Sequence, residues 1–500
     1  MVEGLERRDV PALLSPFAAI DGLPAAPAGR VSYFEGVAGR PLALDAAGLR
    51  GSLAGAPLEF TAAADNPLEF ALPAPDGTLD RFAVVESPIM EPGLAERFPD
   101  IKTYRGQGID DPAATMRFSV TPLGFHAQVR SPEGSWYIDP YFHLETGVYI
   151  SYSRDDLGPA PAWECHGALD PLAPAPMFAA PVDLVAARDG GDAEDTATHQ
   201  ACGCGACLAA ATVAGSSGVA VAAAREPGGG PIGAELNRSG TQLRTYRTVV
   251  AATGEYTAFH GGTVAAGQAA IVVAMNRLNQ IYESELSIRM VLVANNSSVV
   301  YTNAATDPYT NNDGVAMLSQ NQTTLDSIIG NANYDIGHVF STGGGGVAYR
   351  GSVGVNNIKA GGVTGLPSPI GDAFYVDYVA HEMGHQYGGN HTFNTPVAGS
   401  ARNAATAYEP GSGSTIQAYA GITPPDDLQP NSDPYFAFIS LEEIINHVGN
   451  VIPTVGTRTA TGNLVPTVDA GPSTFVIPAQ TPFELTATGA DANGDTLNYS

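Results

Sequence analysis

The sequence predicts an α+β protein in three parts: a β-rich N-terminal region, a central region where a mixed sheet packs against helices, and the start of a β-sandwich-like module. Three observations predict this. Much of residues 68–139 alternates apolar and polar side chains between turn signals, as half-buried strands do. From residue 243, strand-like and helix-like segments follow in the order β-α-β-α-β, which suits a sheet with helices laid on it. After about residue 463, short alternating runs and turn residues return.

The 500 residues exceed one ordinary core, so several domains are expected. Charged residues are only 15% of the chain, while glycine (58) and proline (38) are abundant, which favours loop-rich β and α+β modules over helical bundles. The formal net charge is -28, and Lys102 and Lys359 are the only lysines. So acidic a surface repels nucleic acid and anionic membranes, which argues against either as a partner. The four cysteines, Cys165, Cys202, Cys204 and Cys207, all precede residue 208, so the C-terminal half cannot depend on disulfides. The first residues lack the apolar core of a signal peptide. Leu208–Ala224 is the best membrane-span candidate, but Ala, Gly and Ser dilute it.

Taken in order, Leu68–Ser87 reads as two strands about a turn at Asp76-Gly77, and Met116–Asp139 repeats the style. Residues 1–157 are therefore assigned to one β-rich domain. Residues 158–240 are rich in Ala, Gly and Pro, with an acidic patch at Asp189–Asp195. They read as a loosely packed linker and processing region, with Arg225 and Arg238 as candidate cleavage points. Residues 241–455 form the third unit. Leu243–Ala252 is a strand, Ala265–Glu285 a helix, and Leu286–Asn295 a strongly apolar strand expected at the sheet centre. Val315–Gly330 is a helix closed by its final glycine, and Tyr334–Ser341 is a short strand. Asp372–Gln386 is a helix broken by Gly388-Gly389, and Ser440–Val448 a last helix with Ser440 as cap and Glu443 three residues on. Residues 463–500 open a β-sandwich-like module that the chain does not complete.

The chemistry lies in HEMGHQYGGNH, His381–His391. His381 and His385 are four apart on the expected helix, so they share a face one turn apart. Neutral imidazoles at that spacing can both bind Zn²⁺. Glu382 adjoins the first ligand and is placed to take a proton from water activated by the metal. Gly388 can adopt positive φ and end the helix, which lets His391 turn back as third ligand. Three histidines leave one position open, as a catalytic zinc site requires. Asp377, four residues before His381, is expected as an exposed helix carboxylate, a hydrogen-bond partner of a ligand histidine, or a loop anchor.

This block resembles the metzincin clan of zinc peptidases, and the wider context resembles bacterial secreted reprolysin-like metallopeptidases, distant relatives of the adamalysins. Supporting segments are Arg81–Pro112, Thr245–Gly262, Phe340–Ala348, Gly371–Asn394 and Gly411–Ile422. The resemblance implies a secreted zinc endopeptidase, made as a zymogen, acting on proteins or peptides and restrained by its own prosegment. It also implies that residues 1–157 are a propeptide. The methionine for which metzincins are named is matched by Gln417, a departure that brings a polar amide beneath the metal. Tyr419, two residues on, matches a tyrosine that in some metzincins helps hold the tetrahedral intermediate. Thr392 stands where adamalysin-like proteases often carry aspartate.

A latent protease needs a device that blocks the open zinc position. Cys202, Cys204 and Cys207 in HQACGCGAC, or Cys165 in WECHG, are candidate thiolate ligands for such a switch. A disulfide within the prosegment, or a separate metal cluster using His199, would employ the same residues. Tyr334–Ser341 with Gly343–Gly346 resembles the family's cleft-edge strand, which pairs with extended substrate. Asp491–Asp495 would take Ca²⁺ only with further oxygen ligands. The alternative function is a non-catalytic binding or scaffolding protein on the same fold, favoured by Gln417 and opposed by an intact Glu382.

Overall fold

A computed structural model describes residues 15–158, 165–169, 240–472, 474–495 and 497. The N-terminal region is one antiparallel sheet of nine strands: β1 (Phe17–Ala19), β2 (Arg40–Leu44), β3 (Leu68–Pro73), β4 (Leu79–Glu86), β5 (Lys102–Gly108), β6 (Thr115–Thr121), β7 (Gly124–Ser131), β8 (Gly134–Pro140) and β9 (Val148–Ser153). They lie in the order β1-β2-β9-β8-β7-β6-β5-β4-β3. The turn expected at Asp76-Gly77 is present: Gly77 has φ 97° and the Asp76 side chain accepts from the Thr78 N–H at 2.8 Å. One face of the sheet carries its own aromatic core, in which Phe118 stacks between Phe70 and Tyr104.

The second sheet holds β10 (Cys165–Leu169), β11 (Gln242–Ala252), β12 (Ile288–Leu292), β13 (Ile336–Ser341), β14 (Gly346–Tyr349), β15 (Gly362–Gly365) and β16 (Thr457–Ala460). The strand order is β10-β14-β15-β13-β11-β12, with β16 paired to the start of β11. β14 runs antiparallel to β15, whereas β12, β11, β13 and β15 are mutually parallel. β17 (Thr467–Asp469) and β18 (Thr488–Ala490) make a small, exposed antiparallel pair. Among the described residues, no helix is long and apolar enough to cross a membrane. Leu208–Ala224, His199, Cys202, Cys204, Cys207, Arg225 and Arg238 lie outside the described residues, as does the patch at 189–195.

Three sequence expectations are corrected. β12 is not central: it lies at the sheet's end, beside β11. Its apolar run reflects a buried strand whose outer edge is covered, because Leu292 bonds Ile89 and Glu91 of the N-terminal region (N–H to Ile89 O, 2.8 Å; O from Glu91 N–H, 2.8 Å). The segment Tyr334–Ser341, expected at a cleft edge, forms the interior β13 between β11 and β15. Ser440 caps nothing: the last helix begins earlier, at Phe438–Asn446, with Ala437 as cap residue, and Ser440 is buried within it. Glu443 instead accepts the Asn390 N–H at 2.7 Å, beside the turn that carries His391.

The long helix Val264–Leu286 joins the two regions. The Thr263 side chain caps its start by accepting the Ala266 N–H, and Ser287 ends it in the left-handed conformation at φ 53°. Most of its side chains are buried, polar ones included. A polar stripe would ordinarily face water; here it meets the N-terminal sheet. Arg117 on β6 donates to Asn276 Oδ1 (3.0 Å) and to both Glu283 oxygens (2.6 and 2.7 Å). Arg277 donates to both oxygens of Asp139 on β8 (3.1 and 3.2 Å), and Arg289 spans Glu59 and Glu283. Burial alone would raise the Glu283 carboxyl, but Arg117 and Arg289 outweigh it and hold it down at about 2.

Candidate metal centre

The helical segment that carries the site is continuous but irregular. A turn at Asp372–Phe374 leads into a π-helical stretch, Tyr375–Ala380, and then the helix His381–Gln386. π turns widen the helix and recur at functional sites. Tyr282 on the long helix clamps this one by donating to Ala380 O at 2.8 Å. Asp377 is neither exposed nor bonded to a ligand histidine by any described contact: it is 1% exposed and accepts the Ser432 N–H at 2.9 Å. Burial pushes its carboxyl up to about 8, against the effect of that N–H. It is thus the loop anchor among the three readings. The helix ends at Gln386, and Gly388 takes φ 105° as the motif requires.

His381, His385 and His391 are buried and converge. Their Nε2 atoms are 3.0 Å (381–385), 3.0 Å (385–391) and 3.3 Å (381–391) apart. Ligands about 2.05 Å from a tetrahedral zinc lie about 3.3 Å from one another, so the cluster has nearly the spacing the ion needs. Each Nδ1 faces a backbone carbonyl: Ile416 O at 2.7 Å, Gly389 O at 2.8 Å and Ala401 O at 2.7 Å. A carbonyl only accepts, so each Nδ1 carries the hydrogen and each Nε2 presents its lone pair to the centre. Burial, with mutual repulsion, holds His381 and His391 well below the ordinary imidazole range, and burial holds His385 at about 4. Neutral imidazoles with converging lone pairs fit a bound cation.

Glu382 is fully buried beside β14. A methyl group at residue 346 would collide with Glu382 Oε1 and with the Tyr378 ring, so only glycine lets this carboxylate lie against β14. Tyr419 stacks its ring on Phe393 (centroids 4.2 Å) and meets His391 edge-on at 4.7 Å. Gln417 is buried under the site, with Nε2 3.0 Å from His385 Nδ1. Thr392 donates to Glu409 at 2.5 Å, and Glu409 also accepts the Ser414 N–H, so this glutamate supports the turn after His391.

Several supporting residues escaped sequence reasoning. Gln386 donates to Gly337 O (2.9 Å) and pairs with His338 Nδ1 (2.9 Å), which ties the metal helix to β13. Its position on the far side of the helix from His381 was the available signal. The arginines of the domain interface gave none, because exposed arginines look the same. β10 runs parallel to β14 with Cys165 opposite Gly346. Asp491–Asp495 forms a local turn in which Asp491 accepts from Asn493 and Asp495 N–H groups, both from within the segment.

Comparison with known proteins agrees with this centre. Residues 242–447 match the family model described as Metallo-peptidase family M12B Reprolysin-like. This stretch is a reprolysin-like, metzincin-type zinc-peptidase domain. No curated protein matches the chain. Among solved structures, metalloproteinase-II from Bacteroides fragilis is similar at 9% identity, over 80% of this chain and 94% of that one, with a TM-score of 0.38.

Proposed function

We propose that this reprolysin-like domain is a zinc endopeptidase held latent by the N-terminal region. The observation that carries the peptidase reading is the convergence of three Nε2 lone pairs, fixed by backbone carbonyls, next to a buried glutamate on the β14 side. His381, His385 and His391 would hold the ion. A bound zinc supplies Lewis acidity, which polarises the scissile carbonyl and makes water a stronger acid. Glu382 takes the proton of the attacking water and returns it to the departing amine, so the peptide bond breaks as carboxyl and amine form. An extended peptide lies along β14 and exchanges main-chain hydrogen bonds with it. Tyr419, packed on His391, is the candidate to stabilise charge on the carbonyl oxygen.

Latency is supported by what occupies that edge. β10 pairs with β14 along the side a substrate would use, and its register sets Cys165 opposite Gly346, the glycine that abuts Glu382. Of the four cysteines, Cys165 is therefore the one favoured as the switch residue. Arg154, just after β9, reinforces the block: it donates to Asn431 O (3.0 Å) and Ser432 O (3.2 Å) in the loop anchored by Asp377. The test is cleavage of an unfolded protein by the full chain, before and after the linker is cut. Activity that appears on cutting and disappears with a chelator supports the reading. Cys165→Ser should show activity without cutting; full latency in that variant rejects the switch. Secretion is the localisation this reading carries. Calcium at Asp491–Asp495 gains no support from the local turn.

A further inference from the structure

The hydrogen bonding around His385 assigns a role to the residue that departs from the family pattern. His385 Nδ1 is 2.8 Å from Gly389 O. That oxygen is an acceptor only, so Nδ1 is a donor, as it must also be when Nε2 binds a metal. The Gln417 carboxamide lies against the same Nδ1 with its nitrogen at 3.0 Å. Two N–H groups cannot bond each other. On the opposite side Gln417 Oε1 is buried without a hydrogen-bond partner among the described residues. A half-turn about Cγ–Cδ exchanges these two atoms and leaves the shape of the side chain unchanged. It replaces a donor–donor contact by a donor–acceptor one.

We infer that Gln417 is a positioning residue for the metal ligand His385, its carboxamide oxygen sharing the Nδ1 hydrogen with Gly389 O. The ring is then held from two sides in the orientation that aims Nε2 at His381 and His391. An apolar side chain beneath the metal could fill the same space but could not orient an imidazole. The space itself depends on the motif: a methyl group at Gly384 would collide with the Gln417 amide and press on the Phe436 ring. Gly384 and Gln417 therefore form one arrangement. This inference rests on the metal-centre reading, and its test separates the two.

The experiment compares the full chain with Gln417→Met, which keeps length and loses the acceptor, and Gln417→Glu, which keeps the acceptor and loses the amide nitrogen. Zinc affinity is measured by competition with a chromophoric chelator, and the Nδ1–H resonances of the zinc-loaded protein by NMR. Loss of a partner that orients a ligand weakens metal binding by about 10–100-fold. Because Gly389 O remains, Gln417→Met should fall at the low end, about tenfold, with the His385 Nδ1–H signal displaced and that of His391 unmoved. Gln417→Glu should retain the wild-type affinity. If Gln417→Met, folded by circular dichroism, binds zinc as tightly as wild type with the same Nδ1–H signal, Gln417 only fills space and the inference falls. That result decides the matter even if the glutamate variant does not fold. A folded wild type that binds no zinc overturns the metal-centre reading itself.

Discussion

Replacing Asp139 by alanine should loosen the N-terminal region from the peptidase domain without touching the metal centre. Asp139 is 4% exposed, accepts both hydrogen bonds from Arg277 and also receives the Tyr152 hydroxyl at 2.8 Å. In Asp139→Ala the Arg277 guanidinium, itself 4% exposed and stacked 4.7 Å from the Tyr137 ring, keeps among the described residues only Asp372 at 3.5 Å as a carboxylate partner. Removing one member of a buried ion pair costs about 3–5 kcal/mol. At about 1.4 kcal/mol per decade this is on the order of 10²–10⁴-fold in the affinity of one domain for the other. The assay uses the full chain nicked in the linker, followed by dilution and size-exclusion chromatography to obtain the dissociation constant. A double-mutant cycle with Arg277→Met removes the effect of the substitution on the N-terminal sheet itself. The coupling term should account for most of the loss. Equal dissociation constants for wild type and Asp139→Ala would show that the Asp139–Arg277 pair does not hold the two regions together, and would leave that role to Arg117–Glu283 and Arg289–Glu59.

Two further outcomes follow from the same contacts. His126, facing that interface, is held down at about 4, chiefly by burial. Its unfolded value is about 6.5, so between pH 6.5 and 4 the unfolded chain binds a proton that the folded chain does not, and stability falls as the pH falls. At about 1.36 kcal/mol per unit, the loss between pH 7 and pH 4.5 is about 2.5 kcal/mol. Urea unfolding of His126→Phe should be less pH-dependent by that amount, and an unchanged profile would show that His126 does not contribute. In Gly346→Ala the new methyl displaces Glu382 and Tyr378, whereas the three histidines keep their carbonyl partners. Zinc should remain stoichiometric while turnover of the linker-cut enzyme falls about 10²-fold, the scale of an ångström of misplacement. Simultaneous loss of zinc would show that β14 supports the ligands as well.

The metal helix was legible because its chemistry is local. Three histidines and a glycine at fixed spacing specify a shared face, a break and a return, and the structure has each of them. Strand positions were less legible, because hydrophobicity reports burial and not neighbours. Leu286–Asn295 looked central because its faces are covered, yet its outer edge is closed by Ile89 and Glu91, about 200 residues earlier in the chain. The same cause misplaced the cleft edge: β13 is apolar and interior, and the short glycine-led β14 is what lies against Glu382. Asp377 and the arginines of the interface are polar residues whose burial depends on partners from distant segments, and spacing along one chain cannot reveal that. Ser440 fitted a capping signature, but the apolar residues Phe438 and Ile439 start the helix before it.

The most direct measurement is zinc content together with cleavage of an unfolded protein by the linker-cut chain, for wild type, Glu382→Ala and His391→Ala. Wild type should hold one zinc and show chelator-sensitive cleavage, Glu382→Ala should hold one zinc with almost no cleavage, and His391→Ala should show neither. Cleavage by Glu382→Ala at the wild-type rate, or by wild type stripped of zinc, would contradict it.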